Sequence, residues 1–254
     1  MNKTVQVKGV TLGTGAPKIC VSIIGQTISQ MKEEAEHIKT LPIDVVEWRV
    51  DFFEEATDRT GIIHALEEIN GILPEVPLMA TFRTAQEGGN RDISPAEYAV
   101  INKEIITSGL ADLVDVELIT EEGIVRELIA TAKEHKVAVI ISSHDFEKTP
   151  PVDIMVSRLL RAAELEADIS KLAVMAATSK DVMALMEATR QVKEDHDIGP
   201  LITMSMGGLG TVSRLSGGVF GSSLTFGAAK KASAPGQIDA VELKKIVDML
   251  HKSL

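Results

Sequence analysis

A lysine stands inside an otherwise apolar run, Ile169-Ser170-Lys171-Leu172-Ala173-Val174-Met175. The run reads as a short buried strand, and burial disfavours the ammonium form of a lysine. A lysine discharged in this way attacks carbonyl carbon and forms imines. The plainer alternative is a lysine whose head snorkels to solvent at a strand end. Polar residues interrupt other apolar runs as well. Ser22 lies in one. Glu47 and Arg49 lie two apart in Val45-Val46-Glu47-Trp48-Arg49-Val50-Asp51, and Arg83 is followed by Glu87-Gly88-Gly89. Asp115 and Glu117 share a run, and Ser142-Ser143-His144-Asp145 ends the next. Arg214 and the tail Ser233-Ala234-Pro235-Gly236-Gln237 come later. Brought to one place, these residues could form an imine, move protons near neutral pH and clamp an anion. Each also has a structural explanation. Glu47 and Arg49 could pair with Asp115, Glu117 or each other as a satisfied core network. His144-Asp145 could belong to a helix cap, and Gly207-Gly208-Leu209-Gly210 could be a tight turn or a phosphate cradle.

The elements that must position them alternate regularly. Apolar runs begin near 19, 44, 77, 113, 137, 169, 200 and 219, the last reading VFGSSLTF. Helical periodicity fills 27–40, 58–70, 94–108, 121–135, 151–166, 179–194, about 210–216 and 239–253. Ser94-Pro95-Ala96-Glu97 is a capping box with proline at the first helical position. Alternation of this kind implies parallel strands with right-handed crossovers, and eight units predict a closed (β/α)8 barrel. An open doubly wound sheet is the alternative, but no dinucleotide fingerprint follows the first strand. Residues 4–12 alternate around Gly9 as a small hairpin. The reading is a single domain, 1–254, with the hairpin segment at 1–17. In a barrel the functional residues belong at the C-terminal ends of the strands.

Composition narrows the classes. The 254 residues are 44% hydrophobic and 25% charged, enough for a sizeable core. A net charge of −11 argues against nucleic-acid or anionic-membrane partners, while leaving room for a local positive pocket. The lone Cys20 reads as packing, and a cytoplasmic location is expected. No secretory h-region or spanning run is visible. No His/Cys cluster has zinc spacing, and Lys171 with its arginines would repel a magnesium-like ion at Asp115, Glu117 and His144, so no metal or cofactor is expected.

Taken in order, Glu47-Trp48-Arg49-Val50-Asp51, Phe82-Arg83 with Glu87-Gly88-Gly89, Ser143-His144-Asp145-Phe146, Lys171-Leu172-Ala173-Val174-Met175, Met204-Ser205-Met206 with Ser213-Arg214-Leu215, and Lys231-Ala232-Ser233-Ala234-Pro235-Gly236-Gln237 resemble the type I 3-dehydroquinate dehydratases over essentially the whole chain. The resemblance implies a barrel whose N-terminal hairpin closes the bottom, usually in a homodimer. It implies loss of water from 3-dehydroquinate, in the shikimate pathway, through an imine on Lys171. His144 would be the general acid/base, oriented by Glu87. Arg214 would hold the substrate carboxylate, and Ser22, Glu47, Trp48, Arg49, Arg83, Ser233 and Gln237 would complete the substrate site, with 233–237 as a lid. Gly207-Gly208-Leu209-Gly210 departs from the family's polar residues there. Two other classes stay open on the residues alone. One is an aldolase-type imine barrel, which would need a phosphate cradle; the other is a non-catalytic barrel that binds an anionic metabolite.

Overall fold

The structure, a computed structural model, describes residues 3–254, so the first two residues of the expected hairpin segment lie outside the described residues. An antiparallel hairpin comes first, β1 (Val5–Val7) and β2 (Val10–Leu12), with Val5 opposite Leu12. Eight parallel strands follow: β3 (Lys18–Ile23), β4 (Val45–Arg49), β5 (Leu78–Thr81), β6 (Leu113–Glu117), β7 (Ala138–Asp145), β8 (Ile169–Met175), β9 (Leu201–Met206) and β10 (Leu224–Gly227). They form one ladder in the order β10-β3-β4-β5-β6-β7-β8-β9. The helices are α1 (Ile28–Ile38), α2 (Arg59–Ile72), α3 (Pro95–Thr107), α4 (Glu122–His135), α5 (Val152–Glu164), α6 (Ser179–Asp195), α7 (Thr211–Phe220) and α8 (Ala240–Lys252), one after each barrel strand. This is a (β/α)8 barrel. Its last gap, between β9 and β10, is bridged rather than laddered: Ser223 N donates to Leu201 O at 2.7 Å, and the Ser222 hydroxyl accepts from Thr203 N at 3.1 Å.

Side chains alternate across each strand, so every strand feeds two cores. Outward residues such as Ile19, Val21, Val46, Trp48, Val114, Val116, Val139 and Ile141 pack beneath the helices. Inward residues at the strand starts, among them Cys20, Val45, Met79, Leu113, Ile140, Ile169, Ile202 and Leu224, fill the lower barrel together with Leu12 and Val7 of the hairpin. The hairpin thereby plugs the bottom. Its turn residue Lys8 donates to Val76 O at 3.1 Å and meets Asp112 at 3.0 Å.

Acidic residues just ahead of alternate strands pin the neighbouring strand at the same end. Ile19 N donates to Asp44, Leu78 N to Asp112 and Val139 N to Asp168, each at 2.8 Å. Ser222 does the same for β9. Helix starts carry side-chain caps at Thr27, Asp58, Ser94, Thr178 and Asp239. The Ser94–Glu97 capping box is present in both directions.

The eighth strand lies later than the sequence indicates. Val219 and Phe220 finish α7, Gly221 ends it in the left-handed region at φ +114°, and β10 begins only at Leu224. Packing overrides local β-propensity here. Gly218 faces Pro17 so closely that a Cβ would sit 2.3 Å from the proline ring, and that approach needs the helix to continue past residue 216.

Candidate active site

One step above the apolar floor, the inward positions of the barrel become polar. Ser22, Glu47, Thr81, Asp115, Ser142 and Lys171 are all buried there. Above them stand Arg49, Glu117 and His144. The polar zone thus begins in mid-barrel, lower than the strand ends where the sequence placed it. A cavity opens over it, lined by Lys171, Glu47, His144, Glu87, Arg214, Ser233 and Gln237 among others.

Lys171 is 5% exposed, yet its ammonium is not left in apolar surroundings. Nζ donates to Asp115 Oδ2 at 2.7 Å, lies 3.9 Å from Glu47 Oε1, and sits 5.0 Å over the Phe226 ring. Asp115 is fixed from its other oxygen, which accepts from Arg83 Nη2 at 2.7 Å and from the Ser142 hydroxyl at 2.5 Å. Burial alone would push its pKa up, but Arg83 and Lys171 outweigh that and hold the carboxyl well below the usual carboxylate range. Glu47 accepts from Ser22 at 2.5 Å and Thr81 at 3.0 Å.

Arg83 is the hub of the network. Nη1 reaches Glu117 at 2.8 Å, Ser142 at 3.0 Å and Glu87 at 3.3 Å. Three carboxylates therefore occupy a guanidinium that the resemblance gave to the substrate. Arg49 is engaged too, in a two-bond fork to Asp51 at 2.7 and 2.8 Å. Arg214 differs. It is 2% exposed and meets no carboxylate; Nη2 donates to Pro235 O at 3.0 Å, and Nε has no partner. Burial pulls its guanidinium down to about 10, the mark of a cation lacking a counter-charge.

His144 Nδ1 and Glu87 Oε2 share a hydrogen bond of 2.8 Å. Burial, reinforced by Arg83 and Lys171, holds His144 well below the usual imidazole value. Burial also pushes Glu87 up to about 8, against the pull of Arg83. The dyad thus favours its uncharged forms. The Glu87-Gly88-Gly89 turn that carries it has no room for larger residues. Gly88 has φ +80° with Phe146 against it, and a Cβ on Gly89 would lie 1.9 Å from Arg83 O. Phe146 stacks on His144 with ring centroids 6.4 Å apart. Neighbouring Asp145 accepts from Glu147 N and Lys148 N in the turn that follows β7; no helix begins there, since α5 starts at Val152, so neither residue of this pair is a helix cap.

The segment after β10 folds back over the cavity. Ser233 contacts Ser22 at 2.9 Å, and Gln237 Nε2 donates to Ser233 at 3.0 Å. Gly207-Gly208-Leu209-Gly210 is a tight turn, with Gly210 N donating to Gly207 O at 3.1 Å. Gly236, at φ +80°, rests on it, where a Cβ would lie 2.3 Å from Gly207 O.

Trp48 is a correction. It is fully buried under the helices beside Phe53, with centroids 6.0 Å apart, and does not line the cavity. Alternation dictates this: between inward Glu47 and Arg49, residue 48 must face out. Residues not picked out for the site but lining the cavity are Thr81, Phe146, Ala173, Met204, Met206 and Phe226. Ala173 shares strand parity with Lys171, and that parity was the available signal. Asp115 was noted, but as a possible metal ligand or a core pair. Among the described residues no group of three His, Cys, Asp or Glu has metal-holding geometry, and no helix is long and apolar enough to cross a membrane.

A (β/α)8 barrel with buried charges gathered under a cavity at the C-terminal face has the plan of a barrel enzyme. The chain belongs to the type I 3-dehydroquinase family, whose sequence pattern it matches over residues 19–254, and it is an enzyme of the hydro-lyase class. It is 53% identical over 254 residues to a 3-dehydroquinate dehydratase of Bacillus licheniformis, covering 100% of both chains. It is 54% identical over 252 residues to one of Listeria welshimeri, covering 99% of each. The solved type I 3-dehydroquinate dehydratase of Clostridium difficile, with covalently modified comenic acid, is 47% identical with a TM-score of 0.97, each chain covered in full. A 3-hexulose-6-phosphate synthase from Salmonella typhimurium, 16% identical with a TM-score of 0.60 over 93% of this chain and 100% of that one, shares the fold alone.

Proposed function

We propose that this enzyme removes water from 3-dehydroquinate to give 3-dehydroshikimate through an imine on Lys171, a shikimate-pathway step carried out in the cytoplasm by a homodimer. Family membership supports the reaction. The observation that carries the site reading is a buried lysine sharing one cavity with a neutral histidine–glutamate dyad and a carboxylate-free arginine. The Clostridium difficile relative, solved with a covalently modified ligand, supports covalent chemistry.

On this reading Arg214 receives the substrate carboxylate on a planar fork. Lys171 condenses with the ketone, and the resulting iminium withdraws electrons from the adjacent C–H bond. His144 takes that proton and later returns one to the departing hydroxyl. Glu87 lets one imidazole do both. With Glu87 ionised, Nδ1 carries the hydrogen and Nε2 is free to accept. With Glu87 protonated, it donates to Nδ1 and Nε2 carries a hydrogen to give. The 233–237 lid keeps water from a hydrolysable imine.

Incubation with 3-dehydroquinate and borohydride, followed by peptide mass analysis, tests the reading. A reduced adduct on Lys171 is expected, lost in Lys171→Met. His144→Ala is expected to retain adduct formation while turnover falls by about 10²–10⁴. Undiminished turnover by Lys171→Met would sink the imine. Sedimentation equilibrium checks the dimer.

A further inference from the structure

Asp115 has no role in the dehydration as described so far, yet it is the nearest charged group to Lys171. We infer that Asp115 is the standing counter-ion of the reactive nitrogen, balancing the Lys171 ammonium before condensation and the iminium after it. The inference rests on the imine reading above.

The chemistry of the step requires such a partner. An ammonium and a ketone give an iminium and one water: three N–H hydrogens become one N–H and two O–H. The C=O bond breaks, a C=N bond forms, and the site's net charge is unchanged. A carboxylate at the right distance from the first cation is therefore also balanced by the second. The geometry holds Asp115 in that place. Its Oδ1 is tied by Arg83 at 2.7 Å and Ser142 at 2.5 Å, which leaves Oδ2 aimed at Nζ, 2.7 Å away. The residue is fully buried, so no water competes for the position. Arg83 and Lys171 keep it ionised.

Other charges face the same nitrogen. Glu47 of β4 stands 3.9 Å from Nζ, a second and weaker partner already held by Ser22 and Thr81. Arg83, from beyond β5, acts on Asp115 while also pairing with Glu117 of β6, and His144 of β7 adds to the field on Asp115. Arg49 and Arg214 line the same cavity and add positive potential. Cys20 lies below in the floor, its thiol pushed well up by burial and by Glu47, so it stays uncharged. Against three arginines, a cationic nitrogen needs a fixed negative neighbour to persist.

Borohydride trapping measured from acid to alkaline pH reads the iminium fraction directly. In the unaltered enzyme an adduct on Lys171 establishes the imine; if none forms, the imine reading itself falls, and this inference with it. Given that adduct, Asp115→Asn is expected to move the alkaline fall in trapped fraction, and in kcat, to lower pH by about one unit or more. Its yield at alkaline pH should drop roughly tenfold to a hundredfold. Asp115→Glu, which keeps the charge one methylene displaced, should recover part of that shift. Where Asp115→Asn does not fold, Asp115→Glu is read alone and should shift the limb less, in the same direction. An unshifted alkaline limb in a folded variant, whatever its rate, overturns the counter-ion role, because a purely structural carboxylate would change yield without changing its pH dependence.

Discussion

At the scale of single residues, the pocket is a problem of compensated burial. Taking a charge out of water costs several kcal/mol unless a partner is in place. Lys171, Arg49 and Arg83 each have a carboxylate at 2.7 Å, while Arg214 has none. On the proposed reading, the uncompensated guanidinium is the seat of the substrate carboxylate. Glu87 gives a pH prediction. A free glutamate titrates at about 4.3, and the folded chain holds Glu87 up to about 8. Between those values the native state keeps a proton that the unfolded chain has lost, so this residue's contribution to stability is lost as pH rises through the window. His144 works oppositely: its folded value lies below that of free imidazole, so its contribution is lost as pH falls below about 6.5. Glu87→Gln, neutral and of the same shape, should flatten the decline of urea midpoint between about pH 5 and 8; an unchanged slope would contradict the raised carboxyl. Much of this was legible in the sequence. Lys171, His144, Glu87 and Arg214 stand out by type and motif. Which carboxylate each arginine meets was not legible, because Arg83 reaches Asp115 and Glu117 across 32 and 34 residues of chain. Trp48 could have been placed by strand parity alone.

At the scale of elements, strands are read easily where the apolar run and the turn signals agree. Seven of the eight barrel units announce themselves in this way. The exception, 219–226, is instructive: a β-branched and aromatic pair was absorbed into α7 because Gly217 and Gly218 let the helix lie close to Ser222 and Pro17. Local propensity cannot show a contact 200 residues away in sequence. The segment proposed as a lid teaches the same lesson. Its composition is visible in 233–237, but its seat on Gly207 is not. Gly236→Ala should unseat it, since the added methyl meets a backbone carbonyl and the φ of +80° disfavours any side chain. A fall in kcat/KM of roughly tenfold or more, with Lys171 still trappable, is expected from steady-state kinetics. Unchanged kinetics would mean that the lid does not need this contact.

At the scale of the whole molecule, chemistry and stability occupy opposite ends of the barrel, with the hairpin serving only the lower one. Leu12 is fully buried among the inward residues of the floor. Leu12→Ala should lower unfolding free energy by about 2–5 kcal/mol in denaturant titration. Turnover at temperatures where the variant remains folded should match the parent, because the floor separates Leu12 from the polar zone. A loss of turnover without loss of stability would argue that the floor sets the height of that zone. The seam between β9 and β10 has a different consequence. Arg214 sits on α7, which connects those two strands, and the lid hangs from the end of β10. The barrel is thus closed like a bracelet whose clasp carries both Arg214 and the 233–237 segment. On the proposed reading, a carboxylate gripped between them acts as a rivet, so that substrate would strengthen the hoop at the place where the backbone alone holds it least.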